Sequence, residues 1–493
     1  MTDAAVPGAP EGAAPALQLR RALGLASATA TSAGLAFAAM DYLAVVSVAA
    51  YAAGDSAWLA ILVAGFLALL VAGVFSELNG LYPSAAGIRL YMTRAMGPKS
   101  ALSVTFTYMT TIVLVIAADA FIIGAAVQHG LHEPAVLAYV WIVLLVGVAM
   151  AANLLGVRLA GRVQDLVTYT VLGSTVALSL VAIFHVPGPF RTPFAVFEHG
   201  PHGAIEAVAF GVFLYAAFEW VTTTAEEVRS PSVTTRALFI APGILFVVTA
   251  LVSFAMSHAV AFHRLHGSAY PQLLLGKATL GTLGELWMLA TTVLTAVNTF
   301  NGGFLTASRF IYAAAREDTL PRSFARLNLR AVPWLAVVVL GTTSMAVAAA
   351  VFATHQWLLL VAVGSTLEAL IYAFACWSVL VLRRREPRSR PFRLRAGKPL
   401  AIAGVVVFAA LGLASGFSDP RHPSKLSALP MAVVVVMAVL STCYVLMAVP
   451  RLRAKARARA AAARPRRRPQ RPDTVAPGAP TPDPAASDPA SPG

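Results

Sequence analysis

Residues 34–51 read GLAFAAMDYLAVVSVAAY, a run apolar enough to lie in lipid that still carries a carboxylate, Asp41, near its middle. An acid at the centre of a membrane helix costs roughly 2.5 to 3.5 kcal/mol on insertion scales. Its neighbours at helical spacing, Phe37, Ala38, Ala44 and Val45, offer no local partner. The partner of Asp41 is therefore expected on another helix, or to be water, a proton or a substrate.

The rest of the chain is of the same kind. Of 493 residues 58% are hydrophobic and only 12% charged, and the mean hydropathy is +0.74, far outside the range of soluble globular domains. Apolar runs of about twenty residues fall near 29–52, 57–77, 101–127, 135–156, 165–187, 204–224, 237–260, 284–312, 332–353, 356–382, 399–416 and 428–449. They predict an all-α polytopic membrane protein of twelve transmembrane helices. The first run is too long for a signal-peptide core, and another follows almost at once, so it is read as a retained span. Both cysteines, Cys376 and Cys443, sit inside apolar runs, which excludes a disulfide framework and a cysteine-rich metal site. Neither a metal nor another cofactor is expected.

The net charge of +15 raises the possibility of a nucleic-acid partner, and the placement of the charge argues against it. With the N-terminus cytoplasmic, only Arg191, Arg264, Lys277, Arg421 and Lys425 fall on the far side, leaving 32 of the 37 basic residues at the cytoplasmic face. The basic runs at 383–395 and 451–468 read as orientation signals and contacts with anionic membrane lipids. The second lacks the interleaved aromatics that base stacking needs. Residues 1–24 form an Ala, Gly and Pro rich tail, and residues 451–493 a basic and then Pro/Ala-rich one; both are expected to be disordered and cytoplasmic. All ten histidines fall at the outer side under this topology, as loop filler or as an external pH sensor, and none has HExxH spacing.

Residues 77–91, ELNGLYPSAAGIRLY, resemble the pattern E-L-x-x-x-Y/F-P-x-A-G-G-x-Y-x-Y of the amino acid-polyamine-organocation (APC) superfamily of secondary transporters, with Ala86 in place of the first glycine and Arg89 in place of the first tyrosine. Residues 213–236, FLYAAFEWVTTTAEEVRSPSVTTR, are similar to that family's sixth helix and the segment leaving it. Residues 298–322, NTFNGGFLTASRFIYAAAREDTLPR, are similar to its eighth. The arginine cluster ahead of Pro387 and Pro391 is similar to the loop between its tenth and eleventh helices. The order of these stretches, over roughly residues 20–450, agrees with the count of twelve.

The resemblance implies a five-plus-five inverted repeat (LeuT-like) in residues 25–190 and 191–395, followed by two C-terminal helices in 396–450. Helices 1 and 6 would be broken near the midplane and hold substrate between them. An unwound turn frees backbone N–H groups for a carboxylate and C=O groups for an ammonium. In the first helix the positions aligned with the family's Gly-x-Gly are Ala38, Ala39 and Met40, and in the sixth Ala217 replaces a glycine. Alanine pays more than glycine for a positive backbone angle. The acid in Met40-Asp41-Tyr42 resembles the glutamate/GABA exchanger branch. The substrate-binding candidates are Ala38, Ala39, Met40, Asp41, Tyr215, Ala217, Phe218, which aligns with a gating aromatic, and Asn298, for which plain hydrogen bonding within the bundle is the alternative.

Three further acids lie deep in spans, Asp119, Glu219 and Glu368, with no lysine, arginine or histidine at comparable depth. Left ionised and unpaired, the four would cost roughly 10 kcal/mol, so they line a wet cavity, carry protons or meet a cation. Asp119 has only Val115, Ile116, Ile122 and Ile123 at helical spacing. Glu219 has Tyr215, Thr222 and Thr223, and Glu368 has Ser365 and Tyr372, so these two have local candidates for partners. Asp41, Asp119, Glu219 and Glu368 are the proton-coupling or charge-balancing candidates.

The expected function is secondary active transport of an amino acid or organic amine across the cytoplasmic membrane by alternating access, proton-coupled or by exchange. A non-transporting sensor on a permease scaffold is the alternative. An enzyme is not expected: no zinc motif or Gly-x-Ser-x-Gly elbow occurs, and the deep acids stand singly.

Overall fold

Without water, a backbone closes its hydrogen bonds only within helices or closed barrels, and the apolar runs take the first course. The structure, a computed structural model, describes residues 23–52, 56–84, 87–187, 200–225, 227–387, 390–419, 422 and 425–462. Among these are fifteen α-helices: α1 (Leu25–Ala36), α2 (Met40–Tyr51), α3 (Ala57–Leu81), α4 (Gly87–Met96), α5 (Pro98–Gly130), α6 (Leu137–Leu154), α7 (Val157–His185), α8 (Gly200–Phe213), α9 (Pro231–Ala259), α10 (Phe262–His266), α11 (Pro271–Arg316), α12 (Trp334–Thr354), α13 (Trp357–Arg385), α14 (Gly397–Gly416) and α15 (Leu429–Ala462). No strand occurs among the described residues beyond two isolated bridges, Leu23 with Val228 and Ser418 with Leu426. Eleven helical segments are long and apolar enough to cross a membrane, and the pair α1 and α2, bent by 57°, forms a twelfth span.

Span six is interrupted as well. It runs through α8, leaves the helix after Phe213 and resumes as a 3-10 segment, Phe218–Thr224. Spans one and six cross the middle of the bundle, where every residue of α2 and of the 3-10 segment is buried. The outer spans show large apolar side chains instead, such as Val140, Leu144 and Val148 on α6 and Val436, Val439 and Leu440 on α15, as surfaces toward hydrocarbon should.

Three elements depart from the sequence reading. The eighth span begins at Pro271, well before the expected residue 284, and its early turns are set off by non-helical angles at Leu280 and Gly281 (φ +61°), a conformation glycine tolerates. The segment after span two coils into α4. Residues 451–462, where composition predicts a disordered tail, prolong α15 past Pro450. Alanine and arginine are strong helix formers, and extending an existing helix needs no new nucleus. Residues 1–22 and 463–493, Ala86, Arg191, His199 and Arg421 lie outside the described residues.

Ion pairs knit the basic end of the bundle. Glu77 on α3 is wholly buried and accepts hydrogen bonds from Arg383 (Nε, 2.8 Å), from Arg390 and from the Leu394 N–H (3.0 Å). Arg383 and Arg390 are thus buried partners of one carboxylate rather than the lipid contacts their run suggests. Arg309 on α11 pairs with Glu227, and Arg89 on α4 with Glu317. The Leu23 N–H donates to the Glu227 carbonyl (3.0 Å) and the Arg229 N–H to the Leu23 carbonyl (3.1 Å), which fixes the entry to span one against the exit of span six.

Candidate functional site

The first break is made without glycine. Phe37 is extended (φ −87°, ψ +97°), Ala39 returns to helical angles, and no residue from 37 to 42 has a positive φ, so the alanines at the expected Gly-x-Gly positions carry no strain. The backbone donors of the break can be followed one by one. Phe37 donates to the Ala33 carbonyl (2.8 Å), Asp41 to Ala38 (3.1 Å) and Tyr42 to Ala39 (3.3 Å). Ala38 N–H donates to Asp41 Oδ2 (3.1 Å), Ala39 N–H to Asp119 Oδ2 (3.2 Å) and Met40 N–H to Asp119 Oδ1 (2.8 Å). Every N–H from Phe37 to Tyr42 therefore has an acceptor, and two of the acceptors are carboxylates set at the positive end of α2.

This corrects the expectation that Asp41 lacks a local partner. The break itself supplies one, three residues back, which a continuous helix does not. Asp119, fully buried on α5, finds its partners on span one rather than among its own apolar neighbours.

The second break turns on Ala217, whose φ of +69° is left-handed, a strain of roughly 1 to 2 kcal/mol for a residue with a Cβ. Its N–H donates to Glu368 Oε1 (3.3 Å). Glu219 and Glu368 do not rely on their own faces. The Tyr108 hydroxyl, from α5, lies against Glu219 Oε1 and 3.0 Å from Glu368 Oε1, and it accepts from Trp220 Nε1 (2.8 Å). The Tyr372 hydroxyl donates to Glu219 Oε2 (3.0 Å). Of the local candidates only Tyr372 is used, and its hydroxyl, while donating to Glu219, also lies against Glu368. Three oxygen-to-oxygen contacts here are served by two hydroxyl protons, because a phenol donates once. A proton on one carboxyl supplies the third, and Glu368 Oε2 is buried without a hydrogen bond.

The remaining candidates divide. Asn298 holds the last turn of α1 by donating from Nδ2 to the Gly34 carbonyl (3.0 Å), while its Oδ1 accepts from Gln164 Nε2 (2.5 Å) and Thr168 Oγ1 (2.8 Å). The amide is thus spent on interhelical bonding. Phe218 packs its ring edge-on to Tyr372 (6.5 Å between centroids), and its carbonyl accepts from Ser32 Oγ (2.6 Å), which ties the two breaks together. Tyr215 turns away: its hydroxyl donates to the Ile61 carbonyl (3.0 Å), and it packs over Gly65 on α3. Ala38, Ala39, Met40, Asp41 and Asp119 form one cluster, and Ala217, Glu219 and Glu368 form another. Tyr108 and Asp119, eleven residues or three turns apart on α5, reach from a single helix to both.

A cavity of about 10 Å³, room for roughly one water, lies beside Glu219, lined by Phe75, Ile88, Tyr108, Thr222 and Phe310 among others. Among the described residues no three histidine, cysteine or acidic side chains are grouped as a metal would need. Sequence reasoning missed Tyr108 and Ser32. A tyrosine three turns before Asp119, among Thr105, Thr107, Thr110 and Thr111, was the available signal for the first. It also missed Glu206, which is buried in α8 with His202 one turn before it (3.4 Å).

Residues 17–448 match the family model of the amino acid permeases. The chain belongs to the amino acid permease family. An uncharacterised transporter of Mycobacterium tuberculosis is 29% identical to the permease over 380 residues, covering 76% of this chain and 83% of the relative. The aromatic amino acid transport protein AroP of Corynebacterium glutamicum is 27% identical, covering 58% and 65%. The γ-aminobutyric acid permease of Bacillus subtilis is 22% identical, covering 70% and 76%. Among solved structures, a manganese transporter of Eremococcus coleocola superimposes with a TM-score of 0.57 at 15% identity over 87% of this chain and 95% of that one. A Na+-coupled sialic acid symporter gives 0.51 at 13%, over 82% and 92%. At such identities the likeness is one of fold, and the fold is that of LeuT-like secondary transporters. The permease is accordingly a multi-pass membrane transporter and not an enzyme.

Proposed function

We propose that the permease carries an amino acid or organic amine across the cell membrane by alternating access, with its basic end and both termini cytoplasmic, and that protons drive it. The observation that carries this reading is the set of buried acids left without a cation. Among the described residues each buried arginine is committed elsewhere: Arg89 to Glu317, Arg309 to Glu227, and Arg383 and Arg390 to Glu77. Asp41, Asp119, Glu219 and Glu368, 0 to 2% exposed, gather instead at the two interrupted spans, where carriers of this architecture hold their cargo. Isolated charges at that depth are kept for function because they are expensive.

The two clusters divide the labour. Asp41 stands at the first break and faces the cationic group of the substrate. Glu219 and Glu368 share a proton across Tyr108: with the carboxyl proton on Glu368, Tyr108 donates to Glu219, and a concerted shift reverses both bonds. A proton entering or leaving this pair changes its charge by one, which couples it to substrate binding at the first break through the bonds joining the breaks, Ser32 to Phe218 among them.

Labelled amino acids and amines offered to proteoliposomes under an inward proton gradient test this. The permease should accumulate one class of them, and Asp41→Asn should lower flux far more than the yield of folded protein. Equal losses of flux and yield reduce Asp41 to a structural acid, and binding without flux makes the protein a sensor.

A further inference from the structure

A zwitterionic amino acid brings its own carboxylate, and in an interrupted span the natural seat for it is the run of N–H groups opening the second half-helix. In this permease the seat is taken. Ala38, Ala39 and Met40 N–H groups, the three not used within the turn itself, go to Asp41 and Asp119, and the Asp119 carboxylate engages two consecutive amides with both of its oxygens. At the second break the Ala217 N–H goes to Glu368, Leu214, Tyr215 and Ala216 donate to the Gly211, Val212 and Phe213 carbonyls, and Phe218 and Trp220 to those of Tyr215 and Ala217. A substrate carboxylate entering here meets two resident carboxylates, no free amide among these donors and, among the described residues, no uncommitted buried arginine.

We propose that Asp119 is a built-in stand-in for the substrate carboxylate, and that the transported species is an amine without an α-carboxylate, such as the decarboxylated counterpart of an amino acid. This rests on the carrier reading above and narrows its substrate. Asp119 acts as a specificity-determining residue in two ways: it fills the anion seat, and with Asp41 it gives the first break two carboxyl groups that favour a cationic group over an anionic one. A carboxylate forced in without its amides would be buried unpaired, which costs at least a factor of ten in affinity.

The experiment compares matched pairs in proteoliposome uptake and in thermal-shift binding to the purified protein: lysine with cadaverine, arginine with agmatine, phenylalanine with phenethylamine. For the side chain the permease accepts, the amine should be preferred by at least about tenfold, and Asp119→Ala, which bares the Ala39 and Met40 amides, should shift that preference toward the amino acid by a similar factor. Asp119→Asn keeps an acceptor in the seat while removing the charge. It should weaken the amine without admitting the amino acid, and it serves where the alanine variant fails to fold. Wild-type protein that takes an amino acid as well as its amine overturns the proposal while leaving the carrier reading intact. Failure of every pair to bind or move removes both.

Discussion

Glu77→Gln should cost the permease most of its folded yield. Glu77 alone neutralises Arg383 and Arg390, whose side chains are only 6% and 4% exposed, and it also accepts the Leu394 N–H. The amide is nearly isosteric but cannot balance two guanidinium groups. Breaking a buried pair by removing one partner costs about 3 to 5 kcal/mol, a large part of the roughly 5 to 15 kcal/mol that holds a typical protein folded. The effect should appear as lost monodisperse protein after solubilisation and a much lower melting temperature in the fraction that survives. Arg322→Ala is the counter-case, since Arg322 pairs with Asp318 across an exposed turn and exposed pairs contribute little; its melting curve should match the wild type. A Glu77→Gln protein as stable as the parent would show that the arginines reach water or lipid after all.

Glu368→Gln should abolish gradient-driven accumulation and spare exchange. Glu368 meets both the Ala217 N–H and the Tyr108 hydroxyl through Oε1, so the carbonyl oxygen of glutamine can go on accepting from both, but no proton can leave. Uptake against a concentration gradient under an imposed pH gradient should fall to that of empty liposomes. Counterflow of labelled against unlabelled substrate, which needs no net proton movement, should persist. Glu219→Gln should do the same at greater cost to stability, because it gives up an anion that receives both tyrosine hydroxyls. Unimpaired accumulation in Glu368→Gln would place the coupling proton elsewhere.

Much of this architecture is legible in the chain because the bilayer is a severe solvent. Hydropathy alone yields twelve spans, and the stretches around Glu77, Glu227 and Arg309 mark the hairpins that the buried ion pairs later join. The deep acids are legible for the same reason, since lipid makes each one an anomaly.

What stays hidden is who meets whom. Asp119 binds amides 79 and 80 residues away, Tyr108 reaches glutamates 111 and 260 residues distant, and no helical spacing points to either. The sixth-span tyrosine, Tyr215, shows the converse. Its place next to a break suggests a substrate contact, yet its hydroxyl goes to the Ile61 carbonyl on α3. The alanines of the first break mislead in a third way. They imply strain only if the chain must pass through positive φ, and an extended Phe37 makes the interruption without it.

The account turns on which charge the chamber receives, and a structure determined with a transported compound bound answers that most directly. The prediction is an amine nitrogen about 3 Å from the Asp41 or Asp119 carboxylate, with the Ala39 and Met40 amides still on Asp119. A ligand carboxylate seated on those two amides, with Asp119 swung aside, would contradict it.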